Sequence, residues 1–378
     1  STPKPSSAAS DVYKRQPLKD GYSYLVRCRA QDQAGNLEEL NMQIKFTYDI
    51  TAPESKIYPV PVAGGHYQNL PSISGTAADA TSPLEKVEYA VKEVATGQWW
   101  DKTSSSFTAA SQVWNQAVNV SGDWTIWSAT DVLYLTNHEY AVYGRAWDVA
   151  GSSETSITDY VQYVYDISKP TATVEYPDHD VAYNSLVTIS GNYTDTTPGI
   201  AQVAELKIQD MISGSYWTGS SWGGETWLST SVPAGNSDFL LYTSSWVYIK
   251  PSGLNWISGR KYNLVSRAKD KAANVQDNFV VQTSSVTFIF DNSAPDSLLT
   301  YPAVDTSFNS LSMISGTVQD AEPDAGYCVG VSSYLANKNK LVIHDLTTDE
   351  YWNGSAWAAG VTTLTVTTAD KWYISDIK

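Results

Sequence analysis

The sequence predicts an all-β protein made of tandem copies of one β-sandwich module, and three observations carry that prediction. The phrase Arg29-Ala30-Gln31-Asp32-Gln33-Ala34-Gly35-Asn36 returns as Arg145-Ala146-Trp147-Asp148-Val149-Ala150-Gly151-Ser152 and as Arg267-Ala268-Lys269-Asp270-Lys271-Ala272-Ala273-Asn274. A second phrase follows each copy: Tyr48-Asp49-Ile50-Thr51-Ala52-Pro53, Tyr165-Asp166-Ile167-Ser168-Lys169-Pro170 and Phe290-Asp291-Asn292-Ser293-Ala294-Pro295. Its aspartate recurs after 117 and then 125 residues, a period that suits one sandwich per repeat. The apolar material includes 25 Tyr and 14 Trp against 3 Met, which favours strands over helices.

Taken in chain order, residues 1–16 match nothing in the repeats. Their run from Ser6 to Gln16 resembles translated sequencing-adaptor sequence, so they are set aside as a disordered, non-native leader. Residues 17–50 read as the last strands of a truncated module, 51–167 and 168–292 as whole modules, and 293–378 as a module without its last strands. The expected architecture is therefore modules arranged end to end, truncated at both ends. No stretch approaches the roughly 18 apolar residues of a membrane span.

Within a module, the residues before the Arg-Ala phrase alternate: Tyr24, Val26, Cys28, Ala30, then Tyr140, Val142, Gly144, Ala146, then Tyr262, Leu264, Ser266, Ala268. Period two marks a half-buried strand, and it makes Cys28 a small core residue rather than half of a disulfide. The Tyr five residues before the Arg follows a turn containing Asn137 or Gly259, and its hydroxyl is expected to bond backbone upstream. With that strand read as F, Asp-x-Ala-Gly-Asn is the F–G loop, whose Gly or Asn supplies a left-handed position. The run Met42, Ile44, Phe46, Tyr48 is the last strand, and Tyr58-Pro59, Tyr176-Pro177 and Tyr301-Pro302 mark each module's first strand at an edge. Ile73-Ser74-Gly75-Thr76, Ile189-Ser190-Gly191-Asn192 and Ile314-Ser315-Gly316-Thr317 lead to Asp79, Asp195 and Asp320 at nearly constant distance from the linker aspartate. Length variation thus falls mid-module, in loops.

Following the chain from one pole to the next brings three acidic phrases to each junction. The first gathers Asp49, Asp79 and Asp148; the second Asp166, Asp195, Asp270 and the amide oxygen of Asn274; the third Asp291 and Asp320. Crowded carboxylates repel unless a divalent cation joins them, and Ca²⁺ takes six to eight oxygens of this kind. Structural Ca²⁺ at the junctions is one reading; Asp and Asn as turn formers without metal is the other. Ser152 in place of Asn at the first junction, and the lack of an EF-hand pattern, weigh on the second side.

Mid-module, Gln98-Trp99-Trp100, Tyr216-Trp217 to Trp222, and Trp352-Asn353-Gly354-Ser355-Ala356-Trp357 signal a hairpin, with Asn353-Gly354 read as a type I′ pair and Trp352 facing Trp357. The recurring rings read as scaffold, packing with Trp124 and Trp127, Trp246 and Tyr248, or Trp372 and Tyr373. Exposed sugar-stacking platforms are the alternative. The four histidines, His66, His138, His179 and His344, lie in no zinc or triad spacing, and no nucleophile elbow or phosphate loop occurs. A net charge of −16 argues against a nucleic-acid partner, which needs clustered Lys and Arg, and is compatible with hard cations.

Together, Tyr-x-[Leu/Val]-x-x-Arg-Ala-x-Asp-x-Ala-Gly-Asn and the following Asp-x-x-x-Pro resemble the bacterial Ig-like, fibronectin type III-like tandem repeats of large surface and adhesin-type proteins, over residues 17–378. The resemblance implies tandem Ig-like β-sandwiches and a non-catalytic, extracellular stalk or spacer on the cell surface. It also implies Ca²⁺ at the linker and F–G loop aspartates named above. The expected protein is a monomeric rod with no nucleic-acid partner and no membrane insertion, glycans or host-surface proteins being met by other parts of a longer chain. The alternative is a carbohydrate-binding accessory array of a secreted glycan-degrading enzyme, which expects an exposed ring at Trp217.

Overall fold

The computed structural model describes residues 18–40, 42–155, 160–196, 201–320, 340–368 and 371–375. The leader 1–16, Cys328 and the side chains of Trp372 and Tyr373 lie outside what it describes. The chain divides into two compact units. One comprises residues 1–168 with 196–200 and 271–274; the other comprises 169–195, 201–270 and 275–378.

In the first unit, β1 (Tyr22–Arg27) and β2 (Gln43–Tyr48) form a two-stranded ribbon. A sandwich follows from β3 (Glu54–Ile57), β4 (Gly65–Tyr67), β5 (Ile73–Ala78), β6 (Leu84–Glu93), β7 (Trp99–Asp101), β8 (Ser106–Ala109), β9 (Asn115–Gln116), β10 (Val118–Asn119), β11 (Ile126–Ala129), β12 (His138–Asp148) and β13 (Tyr160–Tyr165). One sheet runs β10-β11-β5-β3 and the other β4-β13-β12-β6-β7-β8, with β9 on β6. β3, β5 and β11 (strands A, B and E) thus face β13, β12 and β6 (G, F and C), the Ig-like division, with the β7–β8 hairpin widening the second sheet. Burial alternates along β12 from Val142 to Asp148 because one face packs on the core cluster of Ile73, Tyr89, Trp100, Trp127, Val142 and Tyr163.

The second unit repeats the plan with β14 (Thr171–Ala172), β15 (Val181–Tyr183), β16 (Thr188–Thr194), β17 (Ala201–Asp210), β18 (Tyr216–Trp217), β19 (Trp222–Gly223), β20 (Phe239–Leu241), β21 (Ser245–Ile249), β22 (Arg260–Asp270) and β23 (Ser285–Phe290). Its sheets run β14-β16-β21-β20 and β15-β23-β22-β17-β18-β19. Trp217, Trp246, Tyr262 and Phe288 lie in its core. Further strands include β24 (Asp296–Tyr301) and β25 (Met313–Gln319), which pair antiparallel.

The predicted tyrosine corner is present three times. Lys19 N donates to the Tyr24 hydroxyl at 2.7 Å, Leu135 N to Tyr140 at 2.8 Å and Ile257 N to Tyr262 at 2.9 Å. Gly21, Asn137 and Gly259 all take positive φ in the preceding turn. A second corner, unforeseen, has Val62 N on Tyr67 and Asp178 N on Tyr183, each at 2.9 Å.

Three expectations are corrected. Cys28 is exposed; its column is buried at Gly144 and Ser266, but the ribbon has no facing sheet among the described residues. Asn353 does not take positive φ. The turn is a four-residue loop whose Asn353 Oδ1 accepts the amides of Ser355 and Ala356, both at 3.0 Å, rather than type I′. The Trp352–Trp357 pair itself forms, centroids 5.6 Å apart. Finally, Trp217 is only 1% exposed, so its ring offers no platform.

Candidate metal centre

Three strand ends deliver the first acidic group, all within the first unit. Asp49 follows β2, Asp79 follows β5 and Asp148 closes β12. Each spends one carboxylate oxygen locally. Asp49 Oδ1 accepts Thr51 N at 3.0 Å, Asp79 Oδ1 accepts the amides of Thr81 and Ser82 at 2.7 and 2.8 Å, and Asp148 Oδ1 accepts Ser152 N at 2.8 Å. These Asx-type bonds fix each side chain, and Oδ2 of each is buried with no hydrogen-bond partner.

One carboxylate oxygen from each of the three lies within 4.8 Å of those from the others. Asp148 is fully buried and Asp49 8% exposed. Ionised carboxylates at that spacing repel by about 3.5 kcal/mol per pair at an effective dielectric near 20. Oxygens up to 4.8 Å apart can nevertheless share one ion, since Ca²⁺ sits about 2.4 Å from each ligand. The donor set is hard, anionic and pre-oriented, so it fits a divalent cation; backbone carbonyls or water would complete the shell. Ser152 engages Asp148 through its backbone, N donating to Oδ1 at 2.8 Å and O accepting Asp148 N at 3.1 Å; it lacks the side-chain amide that Asn36 gives to Asp32 Oδ2 and Asn274 to the Asp166 carbonyl.

In the second copy, Asp166 Oδ1 accepts Ser168 N at 2.8 Å and Thr136 Oγ1 at 3.3 Å, while its Oδ2 is buried without a hydrogen-bond partner. Asn274 Nδ2 donates to the Asp166 carbonyl at 2.8 Å. The predicted amide thus joins the linker through its nitrogen. In the second unit, Asp195 and Asp270 bring carboxylate oxygens within 4.8 Å of each other, Asp270 being 1% exposed.

Asp291 repeats the linker pattern, its Oδ1 accepting Ser293 N at 3.0 Å and Ser258 Oγ at 3.2 Å. Burial, and then the charge of Asp291, push the Asp320 carboxyl above its usual range. The folded chain therefore holds that proton more tightly than the unfolded chain, so the contribution is present at acid pH and lost as pH rises through the raised value. Asp320→Asn, permanently neutral, is expected to melt above the parent chain in chelator at pH 7 and to lose that lead toward pH 4. An offset in calorimetry that does not change with pH would contradict the crowding of these two groups.

A clamp absent from the sequence reading holds all three linkers. Ile50 N donates to Asp20 Oδ1 at 2.9 Å, Ile167 N to Thr136 Oγ1 at 2.9 Å and Asn292 N to Ser258 Oγ at 3.0 Å. Each clamp residue stands four positions before the corner Tyr. The repeated Arg is likewise explained: Arg145 pairs with Glu88 and lies over Trp114, and Arg267 pairs with Glu205 and lies over Trp227, on the outer face of each second sheet.

No family model matches the chain, and no curated protein does. Among solved structures, it is similar to the fibronectin(III)-like modules of Clostridium thermocellum CbhA (14% identity, 63% of this chain and 94% of that one, TM-score 0.27). It is also similar to the chicken CNTN1 FN1–FN3 domains (11% identity, 86% and 89%, TM-score 0.25) and to the sialic acid binding region of a Streptococcus sanguinis SK1 adhesin bound to 3′sLn (9% identity, 75% and 96%, TM-score 0.21). The Ig-like assignment rests on the strand order and register above. Among the described residues, no helix is long and apolar enough to cross a membrane.

Proposed function

We propose that the chain is a non-catalytic extracellular spacer whose tandem Ig-like modules are stiffened at their junctions by Ca²⁺. The observation that supports this reading is the buried set of Oδ2 atoms on Asp49, Asp79 and Asp148, fixed in place and without hydrogen-bond partners. A cation there ties the linker aspartate to two loops of the following sandwich and converts mutual repulsion into a cross-link. Within the second unit, Asp195 with Asp270 and Asp291 with Asp320 repeat parts of the set. Such a site suits the weak, ligand-poor class of extracellular modules, which fill at about 10⁻⁴–10⁻³ M Ca²⁺. The work of the protein is then reach, holding another domain away from a bacterial surface.

Calorimetric melts of the full chain with Ca²⁺ and with chelator test this. Ca²⁺ at 100 times its Kd is expected to add about 2.7 kcal/mol, and Asp148→Asn to remove most of that gain. An unchanged melt would end the metal proposal.

A further inference from the structure

The two complete sandwiches differ in kind at one equivalent position. Glu154 and Gln276 occupy the same place after the F–G loop, their amides donating to the Ala146 and Ala268 carbonyls at 3.2 and 3.0 Å. Both side chains turn to the first strand, which is a sheet edge in each sandwich. Ser55 donates through N and Oγ to Glu154 Oε2 at 3.1 and 2.7 Å, and Ala172 N donates to Gln276 Oε1 at 2.7 Å. Each contact caps an outward-facing amide that an edge strand otherwise leaves open.

Gln276 does this as a neutral group and completes its amide by donating Nε2 to the Asn278 carbonyl at 3.1 Å. Glu154 does it as a half-buried carboxyl. From β3 it is faced by Glu54 and Lys56, which pair with each other at 3.1 Å. On β12, Asp148 is engaged by Ser152 N, and Arg145 is turned to Glu88. Burial, with the Glu54 charge behind it, holds the Glu154 carboxyl above its usual range despite the Ser55 bonds.

We propose that the first complete sandwich is tightened by acidification through Glu154, while the second, with Gln276 in its place, is not. The neutral carboxyl suits the half-buried clasp, as the amide of Gln276 does in the second sandwich, so its contribution is full at low pH and fades as pH rises through the raised value.

Reciprocal exchange in the full chain tests the proposal, by calorimetry in chelator so that cation uptake does not enter. Gly75→Ala, which lowers the first sandwich alone, assigns its transition. At pH 7.5 the isosteric variant Glu154→Gln is expected to melt about 3 °C above the parent chain in that transition, and the offset is expected to shrink steadily as pH falls toward 4. Gln276→Glu should lower the second transition at pH 7.5 and restore it over the same fall in pH. An offset of the same size at both pH values, in either exchange, overturns the proposal whatever the outcome at the aspartate junctions.

Discussion

Replacing Trp217 by Ala is expected to destabilise the second sandwich by about 3–5 kcal/mol, read as an earlier urea transition with unchanged slope. The ring is 1% exposed, packs edge-on against Trp222 at 5.7 Å between centroids, and donates Nε1 to the Tyr248 hydroxyl at 2.9 Å. Truncation therefore opens a cavity and strands a buried hydroxyl at once. A variant that stayed folded while losing glycan binding would instead favour the platform reading, which needs this ring at the surface. Trp352 and Trp357 of the third hairpin keep the same cross-strand pairing, as a repeated packing unit should.

Gly191→Ala is expected to cost about 3 kcal/mol. A Cβ there would stand 1.8 Å from the Thr173 carbonyl oxygen and 2.7 Å from Trp246 Cζ2. Gly191 pairs directly with Trp246 across β16 and β21, and Trp246 Nε1 donates to that same carbonyl at 3.2 Å. The indole and the neighbouring backbone together fill the space a methyl group would need, and neither is the flexible end of a side chain. Gly75 meets Trp127 and the Lys56 carbonyl in the same way, at 2.2 and 2.4 Å. Gly224, where an added methyl would have nothing within 4 Å, is the control: its Ala variant should melt with the parent chain. If Gly191→Ala matched that control, the close approach of β14 to β16 would be refuted.

This pairing shows where the sequence could and could not be read. Gly191 and Trp246 each recur in their own phrases, yet more than 50 residues separate them, and only the sheet register makes them one feature. The corner tyrosines, by contrast, were legible because their partner lies five residues away and the strand period carries the rest. The aspartates at the junctions were legible because each closes a phrase at fixed spacing, so strand direction alone brings Asp49, Asp79 and Asp148 to one pole. The clamp escaped because Asp20, Thr136 and Ser258 share a role but no residue type. Cys28 was misplaced for a different reason: alternation reports which face is apolar, not whether a second sheet covers it.

Each complete sandwich closes on its own buried cluster, centred on Trp127 in one and Trp246 in the other. A whole repeat can therefore be duplicated or deleted during replication without exposing the interior of its neighbour. Each repeat so gained or lost carries its own interior, which gives selection a way to change the number of sandwiches while leaving every fold intact.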